Sequence, residues 1–278
     1  MKIELLQSSP HAPARLHYLT AFLVDDAVAI DAGALGLMRT PAEQARVRDV
    51  FLTHAHADHC GLLPVFLENV IDERCDGPTV HGNAFTLATL RQDVFNDRVW
   101  PNFVDLKIGE RRLVKFRAAE PEVPVTVALA PPPGVAERPA RHLTLTPIRV
   151  DHPVPTDAWL ADDGRDAVLF SGDTGPTKRL WEVAQATPRL RALFLELSFP
   201  DDREELARKV GHLTPRLFVE ELAKLGRPEL PVIAFHLKAK WHDAIVAELR
   251  ARLAAPGAAH RADRVEIAEY GREYRFGG

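Results

Sequence analysis

The sequence contains little cysteine, with only Cys60 and Cys75 among 278 residues. Two thiols are too few for a disulfide framework, and such a composition is typical of a protein that folds in a reducing compartment. We therefore expect a cytoplasmic location. Cys60 directly follows a histidine-rich run, and we interpret it as a small buried residue; the alternative is a redox or metal-binding role.

Long hydrophobic runs are also absent from the chain. Residues 1–13 contain no apolar core of the kind that a secretory signal needs, and the apolar stretch that begins at Leu19 is interrupted by Asp25 and Asp26. The Asp pair is better interpreted as a hairpin turn between strands at residues 18–24 and 27–31. The sequence therefore predicts no membrane segment and no membrane partner.

An excess of basic residues is missing as well. The chain has 35 Lys and Arg residues against 39 Asp and Glu residues, which gives a formal net charge of -4. Long nucleic acids need clustered positive charge, so this balance argues against them as partners. A small anionic ligand is compatible with it, because a bound metal ion can supply positive charge locally. A homodimer is left open.

What the chain does contain is the run T-H-A-H-A-D-H at residues 53–59. Residues 50–52 lead into the run as a strand would, and a helical pattern begins at Gly61. The run places three imidazoles and one carboxylate at a strand-to-helix turn, which points to metal binding. The alternative is a solvated histidine-rich loop.

The spacing within this run also bears on its conformation. On a helix, His56 would point away from the face that His54 and Asp58 share, so we predict irregular backbone. In an extended segment, His54 and His56 form a chelating pair. Asp58 and His59 can then turn toward a second ion nearby.

Three more candidate ligands each follow an apolar, strand-like run: His152, Asp173 and His236. Open sheets of alternating strands and helices collect their sites at such strand ends. A lone histidine at a strand end is usually structural. Two of them with an aspartate, in the same chain as the run at residues 53–59, predict shared metal ligation.

These motifs resemble those of the metallo-β-lactamase superfamily over nearly the whole chain. The resemblance implies an α/β fold, a four-layer αβ/βα sandwich, in which residues 1–278 form a single domain. The proline-rich stretch at residues 118–141 is interpreted as an exposed loop between the two halves, either a connector or a lid. Asp31 matches the aspartate that supports the ligand loop in this superfamily.

The resemblance also implies a ligand set for two divalent transition-metal ions. One ion would be held by His54, His56 and His152, the other by Asp58, His59 and His236, with Asp173 as the bridge. Such a mixture of His and Asp suits zinc, and also manganese or iron, better than calcium or magnesium.

Four short segments are similar to those of class II cyclic nucleotide phosphodiesterases. They are residues 95–103 (FNDRVWPNF), 196–201 (ELSFPD), 211–215 (GHLTP) and 236–238 (HLK). The last three are also similar to segments of the RNase Z family. The resemblance implies a metal-dependent phosphodiesterase that hydrolyses 3′,5′-cyclic nucleotides such as cAMP with a metal-bound hydroxide.

The same likeness assigns catalytic roles. His212, oriented by Glu196, would give a proton to the leaving oxygen. Asp58 is predicted to be a catalytic residue as well as a metal ligand. The alternative for His212 is a helix-capping or core imidazole. Asp201 with Glu204, and Thr214 with its following proline, are predicted to begin helices on either side of it.

Substrate contacts are predicted at three further positions. Lys238 could contact a phosphate oxygen, and the alternative is an ordinary surface lysine. Trp100 and Phe103 offer faces on which a nucleobase could stack, although rings at this spacing also occur in cores.

Three other functions stay open from the sequence. The protein could be an RNase Z-like RNA 3′-end endonuclease, a metal-binding sensor without catalysis, or a hydrolase of lactones or thioesters. The acidic balance argues against the first, and the complete ligand set argues against the second. The third is open because a fold alone does not fix function.

Overall fold

Two seven-stranded sheets form the centre of the computed structural model, which describes residues 1–8, 11, 13–73, 76–129 and 141–277. The strands are β1 Lys2–Leu5, β2 Phe22–Val24, β3 Val28–Ile30, β4 Asp49–Phe51, β5 Thr79–Gly82, β6 Lys107–Ile108, β7 Arg111–Arg112, β8 Lys115–Ala118, β9 Val125–Leu129, β10 Arg141–Val150, β11 Thr156–Asp162, β12 Ala167–Phe170, β13 Leu190–Glu196, β14 Val232–Phe235, β15 Val265–Ile267 and β16 Glu273–Arg275. The first sheet has the order β16-β1-β2-β3-β4-β5-β8 and the second β15-β14-β13-β12-β11-β10-β9. Strands β6 and β7 form a separate two-stranded ribbon.

Helices lie outside the two sheets. They are α1 Pro41–Gln44, α2 Ala57–Cys60, α3 Leu63–Asn69, α4 Ala84–Thr89, α5 Arg179–Gln185, α6 Glu204–Lys209, α7 Pro215–Ala223 and α8 His242–Leu253, with a π-helical turn at Leu90–Val94 and short 3₁₀ turns at Leu35–Leu37, Asp201–Arg203, Ala239–Trp241 and Ala262–Arg264. Within the described parts of the chain, none of the helices has the length and apolar character needed to cross a membrane.

Three buried clusters fill the spaces between the layers. One lies between the two sheets, one under the helices of the first half and one under those of the second half. Strand β13 shows why: Phe194 faces the space between the sheets, whereas Leu193 and Leu195 face the helices. Alternate residues of a strand point to opposite faces, so a strand covered on both sides is apolar throughout. The predicted four-layer sandwich is confirmed.

The hairpin that Asp25 and Asp26 predict is present between β2 and β3. Residues 25–27 form the turn, and both aspartates have a positive φ, 48° and 58°, which Asp tolerates better than most residues. The predicted first strand is wrong in its start, however, since β2 begins at Phe22 rather than at residue 18. Residues 17–20 are irregular instead, and their backbone hydrogen-bonds to other parts of the protein.

The prediction of an exposed loop over residues 118–141 is wrong in part. Val125–Leu129 form strand β9, which pairs with β10 and buries Val127 and Leu129 between the sheets. The alternation of apolar residues here outweighs the proline content around it. Residues 130–140 lie outside the described part of the chain.

One of the two predicted helix starts is confirmed. The side chain of Thr214 accepts a hydrogen bond from Leu217 N–H at the beginning of α7, and Pro215 occupies the first helical position. The start at Asp201 is wrong, because α6 begins only at Glu204 after a 3₁₀ turn. The Asp201 carboxylate instead accepts hydrogen bonds from Arg216 N–H and from the Arg252 guanidinium, which belong to later helices.

Candidate metal centre

The histidine-rich run follows the carboxyl end of β4, which lies between β3 and β5 in the first sheet. His54 and His56 lie before the helix, with extended backbone at His56, whereas Asp58 and His59 occupy the single turn of α2. The prediction of irregular backbone therefore holds for the first two ligand candidates, and the helical pattern begins at Ala57 rather than at Gly61. Extended backbone followed at once by a helical turn lets both pairs face the same space.

The second sheet supplies the remaining candidates at the edge that faces this run. His152 follows β10, Asp173 follows β12, and His236 follows β14. Strands β12, β13 and β14 are parallel, and β10 runs in the same direction as β12, so their carboxyl ends meet. All seven predicted metal ligands are thus brought together between the two halves.

The first cluster consists of His54, His56, His152 and Asp173, with one donor atom of each within 4.8 Å of the others. His152 Nε2 lies 3.3 Å from His56 Nδ1, and His54 Nε2 lies 3.6 Å from Asp173 Oδ2. Four donors that converge from two sheets form a site of the size that a transition-metal ion needs.

The second cluster consists of Asp58, His59 and His236. His236 Nε2 lies 3.1 Å from Asp58 Oδ2 and 3.3 Å from His59 Nε2. Asp173 adjoins this cluster too, with its Oδ1 at 3.2 Å from His59 Nε2. One carboxylate therefore reaches both clusters, as the predicted bridge requires.

The outer nitrogens of four imidazoles are already engaged. His54 Nδ1 lies 2.9 Å from Thr53 Oγ1, and His59 Nδ1 lies 2.7 Å from Asp31 Oδ2. His152 Nδ1 lies 2.9 Å from Gly211 O, and His236 Nδ1 lies 2.9 Å from Ser198 Oγ. In each ring this leaves Nε2 facing the cluster. Outer partners that orient an imidazole in this way are characteristic of metal ligands.

Asp31 supports the ligand run, as the resemblance implies. Its carboxylate is buried and accepts hydrogen bonds from the backbone N–H of Thr53 at 2.8 Å and from the Thr53 hydroxyl, in addition to its contact with His59. It has a positive φ of 61°, which is uncommon outside glycine.

The cluster fits a cation. His54 Nε2 is fully buried and lacks a hydrogen-bond partner, which costs free energy unless another group satisfies it. Burial alone would lower the pKa of His59, but the carboxylates of Asp173 and Asp31 outweigh it and raise this pKa well above its usual range. The residues therefore draw positive charge to a buried point, and their donor set of imidazole and carboxylate suits a transition metal.

His212 lies beside both clusters. Its Nδ1 is 3.0 Å from Glu196 Oε1, and its ring centroid is 5.1 Å from that of His152 and 5.5 Å from that of His236. Burial lowers the pKa of His212, but the Glu196 carboxylate outweighs it, so the pKa lies above its usual range. His212 also forms a third group of candidate ligands with Asp173 and His236, because one donor atom of each of these residues lies within 4.8 Å of the others.

Ser198 is a functional candidate that the sequence reasoning missed. Its hydroxyl donates to Glu196 Oε2 at 2.8 Å and lies 2.9 Å from His236 Nδ1. It therefore joins the carboxylate beside His212 to a metal-ligand candidate. Ser198 lies two residues beyond the end of β13, where no strand pattern singles it out in the sequence.

The three predicted substrate contacts lie in different surroundings. Lys238 is about one-third exposed, and its Nζ is 3.4 Å from Asp58 Oδ2. Phe103 is buried and Trp100 partly buried, and both pack in the cluster under the helices of the first half. The structure thus places Lys238 beside the centre and the two rings in the packing layer, so the stacking role stays a prediction.

Known proteins resemble this chain in sequence and in fold. A protein from Yersinia pestis named a probable 3′,5′-cyclic-nucleotide phosphodiesterase is 29% identical over 213 residues, 69% of this chain and 57% of that protein. The chain thus spans little more than half the length of this curated relative. The structure of unliganded yeast PDE1 aligns with a TM-score of 0.73 at 19% identity over 98% of both chains, and that of the short form of human tRNase Z with 0.65 at 14% over 100% of both.

The structural likenesses agree with the metallo-β-lactamase fold that the four layers show. The family model of the Beta-lactamase superfamily domain matches residues 24–236, which include all seven predicted metal ligands. Because this match covers most of the chain, the protein belongs to the beta-lactamase superfamily.

Proposed function

We propose that the protein is a two-metal phosphodiesterase that hydrolyses 3′,5′-cyclic nucleotides in the cytoplasm. The observation that carries the proposal is the arrangement of four imidazoles with outer partners on Nδ1 around a shared Asp173, with His212 and Glu196 at their side. This arrangement supports hydrolysis. The names of the relatives support the substrate class, and the scarcity of cysteine supports the compartment.

The ligand candidates define where the ions would be held. His54, His56 and His152 would hold the first, Asp58, His59 and His236 the second, and Asp173 both. Zinc fits this set, as do manganese and iron. When bound, the ions would supply a water of lowered pKa and neutralise charge on the phosphate.

His212 would act as the proton donor to the leaving ribose oxygen. Its Nδ1 is held by the buried Glu196 carboxylate, which leaves Nε2 as the nitrogen that can face a substrate. The carboxylate also favours the protonated ring, and a positioned imidazolium is an effective general acid. Ser198 fixes the Glu196 carboxylate from the other side.

Lys238 would contact the phosphate from the side of the second ion. Its ammonium group lies beside Asp58 and is open to solvent on the other side. Trp100 is the better candidate for stacking on the base, since Phe103 is only 8% exposed. Asp58 would serve the reaction as a metal ligand that also holds the Lys238 ammonium near the phosphate.

Assays of the purified, metal-loaded protein test the substrate class. Cyclic mononucleotides, a transfer-RNA precursor and a lactone or thioester panel should be compared at the same metal content. We expect the highest kcat/KM with a cyclic nucleotide. A higher value for a lactone or a thioester would show that the metal centre is correct but the substrate class is wrong, and no turnover with full metal content would favour a sensor.

An RNase Z-like endonuclease is the second candidate function. The likeness in fold to the short form of human tRNase Z favours it. The net charge of -4 argues against it, because an RNA substrate of many phosphates needs a broad basic surface. Efficient cleavage of the transfer-RNA precursor in the same assay would support this candidate instead.

A further inference from the structure

The irregular segment at residues 17–20, which we call the N-terminal strap, contacts the ligand loops of both halves of the sandwich. At one end, Thr20 N–H donates to Asp58 O at 2.7 Å. At the other end, His17 pairs with Lys238 as an isolated bridge in the loop that follows His236. Asp58 and His236 are candidates for the same ion, so the strap spans the two halves of the second site.

His17 uses both of its ring nitrogens within this arrangement. Nε2 lies 2.8 Å from Ala268 O, so it must donate, and Nδ1 is then free to accept from Leu237 N–H at 3.3 Å. The ring is buried, and burial lowers its pKa to about 4, so the neutral form that this pattern needs is present at neutral pH. Leu237 directly follows the ligand candidate His236.

The backbone at His236 needs such support. His236 has a φ of 67°, in the left-handed region that non-glycine residues rarely adopt and that costs free energy unless neighbouring contacts impose it. Ser198 holds the ring of His236 through Nδ1 at 2.9 Å. The hydrogen bond from Leu237 to His17 holds the backbone on its other side.

The strap is itself fixed from the C-terminal region. The Tyr270 hydroxyl accepts hydrogen bonds from Tyr18 N–H at 2.7 Å and from Leu19 N–H at 3.2 Å, and it donates to Leu19 O at 2.7 Å. In contrast, the outer nitrogens of His54 and His152 in the first cluster contact Thr53 and Gly211, neither of which belongs to the strap. Support from the strap is therefore directed to one of the two clusters.

We propose that His17 is a positioning residue for the second metal ion: by accepting from Leu237 N–H it holds His236 in its left-handed conformation opposite Asp58. The proposal rests on the two-metal centre proposed above. Loss of a group that bonds a ligand's own side chain typically weakens metal binding about 10- to 100-fold. His17 acts on His236 only through the backbone of Leu237, so we expect a loss near the lower end of this range, about 10-fold, at the second site and little change at the first.

Two substitutions separate the two hydrogen bonds of His17. His17→Asn keeps an acceptor near the position of Nδ1 and loses the contact with Ala268, whereas His17→Gln keeps a donor near the position of Nε2 and loses the contact with Leu237. If the proposal is correct, zinc titration of apo-protein against a competing chelator shows a weakened second ion in His17→Ala and His17→Gln, and partial recovery in His17→Asn.

The matched control is His260→Ala. His260 is also a buried histidine whose Nε2 bonds a backbone carbonyl, that of Leu230, but it lies at the opposite end of β14 from His236. The His260→Ala variant should bind both ions as the unaltered protein does, even if its melting temperature falls. Two reference variants identify which ion is affected: Asp58→Ala should weaken the second ion and His56→Ala the first. Adding His17→Ala to Asp58→Ala should cause no further loss of zinc. Adding His17→Ala to His56→Ala should cause a further loss.

Several results would overturn the proposal. The first is an unchanged zinc affinity in His17→Ala. The second is equal weakening of both ions, and the third is equal zinc affinity in His17→Asn and His17→Gln. Either of the last two would indicate general destabilisation. In those cases the two-metal centre stands. If the unaltered protein itself binds fewer than about two ions per chain, the proposed centre fails first and the role of His17 fails with it.

Discussion

Replacing His212 with alanine removes the imidazole that lies between Glu196 and the two ligand clusters. A ribose oxygen leaves poorly without a proton, whereas p-nitrophenolate leaves readily as an anion. General acid catalysis is typically worth about 100- to 10,000-fold, or about 3 to 5 kcal/mol of transition-state stabilisation. We therefore expect a loss of this size in kcat on a cyclic nucleotide and a much smaller loss on a p-nitrophenyl phosphodiester.

The assay compares both substrates with the same enzyme preparations. Glu196→Gln should show the same pattern more mildly, since the amide keeps a hydrogen-bond acceptor but loses the charge that favours the protonated ring. Zinc content must be measured in each variant, because His212 also lies within reach of Asp173 and His236. His260→Ala serves as the control for removal of a buried imidazole away from the centre.

Equal losses on the two substrates would refute the reasoning. Such a result would mean that His212 affects steps that do not depend on the leaving group. A simultaneous loss of zinc would identify it as a ligand, and a fall in melting temperature without loss of zinc would identify it as a structural residue.

The metal centre and the substrate can be tested independently of His212. Asp173→Ala removes the carboxylate shared by both clusters, so we expect elemental analysis to show the loss of at least one ion and kinetic assays to show the loss of turnover. Full metal content and an unchanged rate would show that Asp173 is misassigned. Chelation should abolish turnover and lower the melting temperature, because ions that bind only the folded state stabilise it, and zinc should restore both; activity that survives complete removal of the metal would exclude the centre. Because a cyclic mononucleotide carries one phosphate, kcat/KM should depend only weakly on salt, and a steep dependence would point to a polyanionic substrate.

The ligand candidates could be predicted from the sequence because each is tied to a local signal. Four of the seven lie within residues 53–59, and the other three each follow an apolar run that the structure shows as a strand. An apolar run, alternating as in β10 or continuous as in β12 and β14, indicates a strand, and the end of that strand marks the side of the sheet where side chains from distant segments meet. The four layers were predicted from the resemblance of these motifs to those of the superfamily, and the structure supplies the physical reason: a strand with two buried faces, such as β13, is apolar throughout.

Errors in the prediction occur where a long-range contact overrides a local signal. Asp201 is typical of a helix start, but its carboxylate bonds Arg216 and Arg252, so the helix begins later. Strand β9 lies in a proline-rich stretch, and the apolar alternation of residues 125–129 together with pairing to β10 outweighs the proline content. No pattern within either segment reveals these partners.

The outer contacts of the ligands are the hardest part of the site to predict. Ser198 lies just beyond the end of β13, outside any strand pattern. His17 lies 220 residues from Leu237, from whose N–H it accepts a hydrogen bond. A lone histidine in an irregular segment has no periodicity and no motif. Its role depends on a left-handed backbone at His236 that only the folded chain displays. The ligand candidates can therefore be recognised from composition and spacing, whereas a residue such as His17, which acts on a ligand candidate through the backbone of a neighbouring residue, is revealed only by the tertiary structure.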